Sequence, residues 1–130
     1  MERLTPGLTG EVETTVADDD TAARQGSGLV PVFGTPALVA LMENAAVRAL
    51  EGDLPPGQTS VGGRMDVRHL APTPVGMRVR ARAELLEMEG RRLVFHVEAW
   101  DELEQIGRAT HERFIVDQAA FVAKAKAKAE

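Results

Sequence analysis

The sequence predicts an α+β domain in which one antiparallel sheet wraps around a central buried helix. Two observations indicate this. A single helical segment, from Thr35 to Leu50 or Glu51, is apolar on nearly every side, as buried helices are. After Gly57 the apolar period changes to two, through four long segments separated by polar turns. One sheet over one helix leaves an edge strand or an apolar surface uncovered, so we expect a two-fold dimer.

The composition predicts a single soluble domain over residues 1–130, with residues 1–7 and 118–130 peripheral to it. The formal net charge of −5 argues against a general nucleic-acid binder. There is no cysteine, so a thiol nucleophile, a disulfide and a thiolate metal site are excluded. The three histidines show no ligand spacing, so we expect no metal. No apolar run has the length of a membrane span or a signal peptide, and we expect a cytoplasmic protein without a membrane partner.

The first part of the chain reads as a strand, a loop and the helix. Residues 8–17, "LTGEVETTVA", alternate as a short strand does. The next 17 residues, "DDDTAARQGSGLVPVFG", are acidic, glycine-rich and without period, which predicts a long loop, either a lid or a plain surface connection. Thr35 is a good N-cap and Pro36 suits the first helical position, while Gly52 ends the helix.

Four strands follow the helix, and the last three form an antiparallel meander. Alternation predicts their inner residues, which are Met77, Val79, Ala81, Ala83 and Leu85 in the second of the four and Leu93, Phe95, Val97 and Ala99 in the third. The C-terminal segment "QAAFVAKAKAKAE" predicts a frayed helix with solvated lysines. In the first of the four strands, "SVGGRMDVRHL", the predicted inner residues are Val61, Gly63, Met65, Val67 and His69.

Glu43 is the residue that the pattern does not explain. A carboxylate buried without a partner costs several kcal/mol, and its helical neighbours at three and four residues' distance are all apolar. Thr35 lies eight residues earlier and can face the same side, and His69 lies on the apolar face of its strand. A hydroxyl, a carboxylate and an imidazole together indicate hydrolytic chemistry. Taken alone, the residues also fit an N-cap, a core histidine and a carboxylate paired with an arginine or a water.

Four motifs strengthen the hydrolytic interpretation. They are Thr-x7-Glu from Thr35, the Gly-Gly pair at 62–63, His-x3-Thr-Pro-x-Gly from His69, and Gly-x-x-Thr-His-Glu-Arg from Gly107. With the segments around them, over about residues 32–116, they resemble the hotdog-fold thioesterases similar to fluoroacetyl-CoA thioesterase. The resemblance implies a hotdog fold and a homodimer, which could pair further into a tetramer. It also implies hydrolysis of an acyl-CoA bound at the subunit interface, with no cofactor besides the coenzyme A of the substrate.

The resemblance also implies roles for individual residues. Glu43 would be the nucleophile or the base that activates water, held by the Thr35 hydroxyl, and Gly62 would lie beside the thioester carbonyl. Carried over position by position, catalysis falls to Thr35, Glu43 and His69, and substrate binding to Gly62, Phe33 and Arg113.

The chain departs from the fluoroacetyl-specific pattern in the loop before the helix. Gly26 and Leu29 stand where that enzyme has lid phenylalanines, and only Phe33 is nearby. We therefore predict a short-chain acyl-CoA as the substrate. The alternative is a hotdog protein that binds an acyl-CoA or another apolar metabolite without hydrolysing it. A hotdog dehydratase shares the fold, but its Asp-x4-His motif does not occur on this helix.

Overall fold

A five-stranded antiparallel sheet and one long helix make up most of the molecule. The computed structural model describes residues 4–130. The elements are β1 (Thr9–Thr15), α1 (Ala22–Gln25), α2 (Thr35–Ala49), β2 (Gln58–His69), β3 (Arg78–Glu89), β4 (Arg92–Trp100), β5 (Gln105–Asp117) and α3 (Gln118–Ala127).

The strands lie in the order β1-β3-β4-β5-β2, and every neighbouring pair is antiparallel. The predicted meander is β3-β4-β5, and β2 returns beside β5, so that β1 and β2 form the two edges of the sheet. Helix α2 lies across the inner face and contacts β1, β3, β4 and β2. The predicted α+β architecture, one antiparallel sheet around a helix, is confirmed. In residues 4–130, none of the helices is both long enough and apolar enough to cross a membrane.

The core lies between α2 and the inner faces of β3 and β4. Leu38 and Met42 of the helix are fully buried, as are Phe95 and Val97 of β4. Each such side chain contributes roughly 1.5–3 kcal/mol through its removal from water. Gly10 of β1 packs directly on the helix, because an added Cβ there would collide with the backbone at Ala45 and Ala49.

The predicted long loop between β1 and α2 contains local structure, so that prediction was wrong in part. A 3₁₀ turn at Asp18–Asp20 leads into the single-turn helix α1, which Thr21 caps by accepting from the Arg24 N–H. Isolated bridges join Thr21 to Phe33 and Val32 to Pro74. These bridges fix the chain immediately before α2, and elements of three or four residues are too short to show a period.

The predicted N-cap of α2 was also wrong. Gly34, in an extended conformation, is the N-cap, and the Thr35 side chain makes no capping bond. A Cβ at Gly34 would lie 3.0 Å from the Ala22 backbone and 2.9 Å from the end of the Gln25 side chain, so a larger residue would need both neighbours to shift. The Thr35 hydroxyl is consequently available for another partner.

A β-bulge in β2 corrects the predicted faces of that strand. Gly62 pairs with Arg113 and Arg64 with Glu112, which leaves Gly63 as the extra residue. Since one extra residue inverts the alternation, Gly62 lies on the inner face and Gly63 on the outer face, against the ring of Phe114. Val61, opposite Phe114, is outward as well. The inner placement of Met65, Val67 and His69, beyond the bulge, agrees with their partial burial.

Candidate active site

Thr35 and His69 are in direct contact at the start of α2. The Thr35 Oγ1 lies 2.8 Å from the His69 Nδ1. Thr35 is held by the first turn of the helix, and His69 is the last residue of β2. We call these two residues the Thr35–His69 pair. The structure brings together two of the three predicted catalytic residues.

The Thr35–His69 pair lies in an open pocket of about 400 Å³. Phe33, predicted to bind substrate, lines the same pocket and is itself buried. The remaining lining is largely apolar: Ala22, Val30, Val32, Leu70, Ala71 and Pro72. The first-turn amides of a helix have no intrahelical acceptor, so the start of α2 offers N–H groups and positive dipole to an anion in this pocket.

The surroundings of His69 favour its neutral form. Partial burial lowers the pKa of its imidazole from the usual 6.5. Its Nε2 is buried and has no hydrogen-bond partner within residues 4–130. A neutral imidazole whose second nitrogen is unused can accept or deliver a proton.

Glu43 lies apart from this pair and has different partners. Its Oε2 is 3.4 Å from the Arg113 Nη1 and 4.0 Å from the His111 Nε2. The side chain is 41 % exposed rather than buried, and Gly62 lies beneath it, where a Cβ would come within 2.5 Å of Oε2. Within one chain the Thr35 hydroxyl therefore does not hold Glu43, contrary to what the resemblance implied. The partner is an arginine from β5, which the helical neighbours of Glu43 could not reveal.

Arg113 is the most buried charge in this region, with only 6 % of the residue exposed. Its Nε donates to the Ser60 Oγ at 2.8 Å and its Nη2 to the Ser60 carbonyl at 3.0 Å. Burial lowers the pKa of Arg113 and the Glu43 carboxylate raises it, and a guanidinium remains charged throughout. We call Glu43, Ser60, His111 and Arg113 the Glu43 cluster.

The Thr35–His69 pair and the Glu43 cluster are separate within one chain. Thr35 and Glu43 are eight residues apart on α2, which at 1.5 Å per residue is about 12 Å. Gly62, which lies beside Glu43, and His69 are likewise separated along β2, because Gly62 lies near the middle of the strand and His69 is its last residue. One chain therefore presents two groups of reactive side chains rather than one triad.

Sequence reasoning missed Ser60 and His111. His111 is 1 % exposed and belongs to the Gly-x-x-Thr-His-Glu-Arg motif, so its place on the inner face of β5 could have been found from alternation with Arg113. Ser60 carried no such signal, because its face depends on the bulge three residues later.

An antiparallel sheet wrapped around one helix, with a hydroxyl, an imidazole and a carboxylate at that helix, is the arrangement of a hotdog-fold thioesterase. Comparison with known proteins agrees. The family model of the fluoroacetyl-CoA-specific thioesterase (FlK) matches residues 16–119. The chain belongs to this family, which confirms the predicted hotdog fold and the class of enzyme, an acyl-CoA thioesterase.

Individual relatives support the same assignment. The fluoroacetyl-CoA thioesterase of Streptantibioticus cattleyicolor is 45 % identical over 97 residues, which are 75 % of this chain and 70 % of that protein. A solved structure of the fluoroacetyl-CoA thioesterase FlK superposes with a TM-score of 0.90 at 36 % identity, covering 96 % of this chain and 97 % of that one. A thioesterase superfamily member from Thermus thermophilus gives 0.88 at 33 % identity over the whole of both chains.

Proposed function

We propose that the protein hydrolyses a short-chain acyl-CoA to the free acid and coenzyme A, at a site completed by two copies of the chain. The observation that carries this is the separation of the Thr35–His69 pair from the Glu43 cluster. Thr35 and Glu43 lie about 12 Å apart along α2, and His69 lies with Thr35, so the three side chains can act on one carbonyl only if a second copy supplies part of the set.

The exposed surface of α2 around Glu43 fits a second copy. Val39 and Val47 precede and follow Glu43 by one helical turn, and Val47 is 46 % exposed. An exposed carboxylate between two apolar side chains is typical of a surface that a protein partner or a substrate covers. Strand β2, beside it, is an edge strand of 12 residues, and within residues 4–130 no other strand pairs with its outer side.

In the proposed reaction each group has a distinct part. The Thr35 hydroxyl and the amides at the start of α2 orient the thioester and stabilise the developing oxyanion. Glu43 either attacks the carbonyl to form a mixed anhydride, which water then hydrolyses, or activates the water that attacks the carbonyl directly. His69 accepts a proton from that water through its unprotonated nitrogen and delivers it to the departing thiolate. Gly62 leaves room for the carbonyl beside Glu43. The products are the carboxylic acid and the free thiol of coenzyme A.

The loop before α2 supports a small acyl group without selectivity for fluorine. Leu29 is 96 % exposed and does not line the pocket, whereas Val30 and Phe33 do. The chain therefore presents a small open apolar pocket without an aromatic lid. We expect acetyl-, propionyl- and butyryl-CoA to be hydrolysed, and fluoroacetyl-CoA to be favoured over acetyl-CoA by no more than about tenfold, the discrimination that a small apolar contact provides.

Thiol release from an acyl-CoA panel tests the activity. Glu43→Gln and His69→Ala are each expected to reduce kcat by at least about 100-fold, since each removes a proton-transfer or nucleophilic group. Unchanged turnover in both variants would overturn the mechanism. Tight binding of acyl-CoA by the wild type, with no thiol release from any chain length, would instead indicate the non-catalytic binder.

A heterodimer of the two variants tests the shared site. The Glu43→Gln and His69→Ala chains carry different affinity tags, are coexpressed, and the heterodimer is purified through both tags. If the sites are shared between chains, this heterodimer contains one site with both substitutions and one site with neither. A shared site therefore recovers about half of the wild-type kcat per dimer. If each site belonged to one chain, every site would carry one substitution and the heterodimer would be as inactive as its parents.

A further inference from the structure

The guanidinium of Arg113 is held by more groups than a simple ion pair needs. Ser60 accepts two of its hydrogen bonds, one through the hydroxyl and one through the carbonyl. The two hydrogens on Nη1 go to the His111 Nε2 at 3.2 Å and the Glu43 Oε2 at 3.4 Å. Four of the five guanidinium N–H groups are thus committed, three of them to groups other than the carboxylate.

The contacts of His111 determine its tautomer. Its Nδ1 lies 2.7 Å from the Arg64 carbonyl, which can only accept, so Nδ1 carries the proton. Its Nε2 faces the Arg113 guanidinium, which can only donate, so Nε2 is unprotonated. The imidazole is therefore neutral and serves as a bridge between the bulged backbone of β2 and the guanidinium.

The surroundings of His111 keep it neutral. Burial lowers the pKa of the imidazole and the Arg113 charge lowers it further, against the opposing effect of the Arg64 carbonyl, Glu43 and Glu112. From β4 it faces the apolar ring of Phe95, whose centroid is 6.3 Å away. A proton on Nε2 would point at a fixed cation and would break the bond to it.

We propose that Ser60 and His111 are positioning residues for thioester hydrolysis, which fix the Arg113 guanidinium so that its remaining Nη1 hydrogen aims the Glu43 carboxylate at the space above Gly62. This inference rests on the proposed function, because it affects turnover only if Glu43 takes part. Glu43 is 41 % exposed in the single chain, and Arg113 donates to its carboxylate there. The direction of the carboxylate therefore depends on the guanidinium. A displacement of a catalytic group by about 1 Å reduces turnover by on the order of 100-fold.

Two substitutions of His111 each remove one of the two hydrogen bonds of the imidazole and keep the other. In His111→Gln the amide oxygen reaches the place of Nε2 and accepts from Arg113, while the bond to the Arg64 carbonyl is lost. In His111→Asn the amide nitrogen replaces Nδ1 and keeps the bond to Arg64, while Arg113 loses its acceptor. Each variant keeps one of the two bonds and leaves some space, so a merely structural role would affect both alike.

The expected result is a difference in kcat. His111→Asn loses on the order of 100-fold in kcat with KM changed less than about threefold, whereas His111→Gln stays within about tenfold of the wild type. Ser60→Ala reduces kcat, and Ser60→Thr, which restores the hydroxyl, recovers it. Equal kcat in the Asn and Gln variants, or a wild-type kcat in Ser60→Ala, would overturn the proposal.

A measurement without substrate distinguishes failure of this proposal from failure of the proposed function. NMR of the protein with ¹⁵N-labelled histidine reports which ring nitrogen of His111 carries the proton. A neutral Nδ1–H tautomer at pH 7 supports the arrangement, and a protonated Nε2 contradicts it. If the wild type released no thiol from any acyl-CoA, the proposed function and the catalytic part of this inference would fall, while the NMR result would still show whether His111 holds Arg113.

Discussion

Gly62 and Gly63 are adjacent in the chain but have different neighbours, and each excludes a side chain for its own reason. At Gly62 the obstacle is the Glu43 carboxylate, with His111 and Arg113 slightly farther away. At Gly63 the obstacle is the ring of Phe114 on the other face of the sheet. The same substitution at the two positions therefore separates an effect on the site from an effect on packing.

We expect Gly62→Ala to lose on the order of 100-fold in kcat, because its Cβ would displace Glu43 from the position that Arg113 gives it. We expect Gly63→Ala to cost about 1–3 kcal/mol of stability through strain against Phe114, with kcat within a few-fold of the wild type. Thiol release and urea unfolding measure the two quantities. An active Gly62→Ala enzyme would show that the carboxylate does not need its present position.

Buried His111 and partly buried His69 make stability depend on pH. Burial lowers the pKa of His69 and of His111 below the 6.5 of an exposed histidine, so the unfolded chain binds protons that the folded chain does not. Stability is therefore fully present above about pH 6.5 and falls as the pH is lowered toward the folded pKa values. We expect the urea midpoint to fall between about pH 7.5 and 5.5, and to fall less in His111→Gln. An identical slope in that variant would contradict the prediction.

Among the elements, the strands that carry the core followed the sequence pattern and the strand that carries the site did not. Alternation placed Val79 to Leu85 and Leu93 to Ala99 on the correct face, because no bulge interrupts those stretches. In β2 the bulge after Gly62 inverted the faces of the residues before it. The Gly-Gly pair was the visible sign of this irregularity, since glycine within a strand often marks a bulge.

The partners of the candidate site could not be obtained from the sequence for a related reason. Glu43, Thr35 and His69 were recognisable because each is polar in an apolar pattern. Arg113, by contrast, contacts Glu43 across 70 positions of sequence, and such a pair is decided by strand order and register. The short turns before α2 were missed because three or four residues show no period.

The turn between β4 and β5 is tied to the segment after β2. The Thr73 hydroxyl, fully buried, donates to the Asp101 Oδ2 at 2.8 Å, and the Thr73 carbonyl accepts from the Phe33 N–H. Burial favours the neutral carboxyl of Asp101, but hydrogen bonds from Leu103, Thr73 and Glu104 outweigh it and lower the pKa. This contact therefore anchors the segment that follows His69 and contacts Phe33.

We expect Thr73→Val to destabilise the protein by about 1–3 kcal/mol, because it leaves Asp101 short of a donor in a partly buried place. Valine has nearly the same shape, so packing is preserved. Thr110→Val, at an exposed position on β5, is the matched control and should stay within about 0.5 kcal/mol of the wild type. Urea unfolding at pH 7 compares the two. Equal stability of both variants would show that the Thr73 hydroxyl contributes nothing net.

For the whole molecule, the bulge restricts how two copies could pair through β2. In an antiparallel sheet with a two-fold axis, opposite residues must point to the same face. With the axis at Asp66, Met65 lies opposite Val67 of the second copy. Because the bulge at Gly63 shifts the pairing by one residue, Gly62 in this arrangement lies opposite His69 of the second copy, and both residues face inward. This register brings the Glu43 cluster of one chain to the Thr35–His69 pair of the other.

The pairing of two β2 strands with Asp66 on the two-fold axis can be tested directly by disulfide formation, because the chain contains no cysteine and an introduced one would be its only thiol. Opposite Cα atoms in an antiparallel pair are about 4.5–5.5 Å apart, within the span of a disulfide. We therefore expect Asp66→Cys to form a disulfide-linked dimer on mild oxidation, with thiol release retained. Glu11→Cys, exposed on the opposite edge strand β1, is the control and should remain unlinked. Linking of the control alone would place the dimer contact on β1, and the Glu43 cluster would then have to reach a thioester without the second copy.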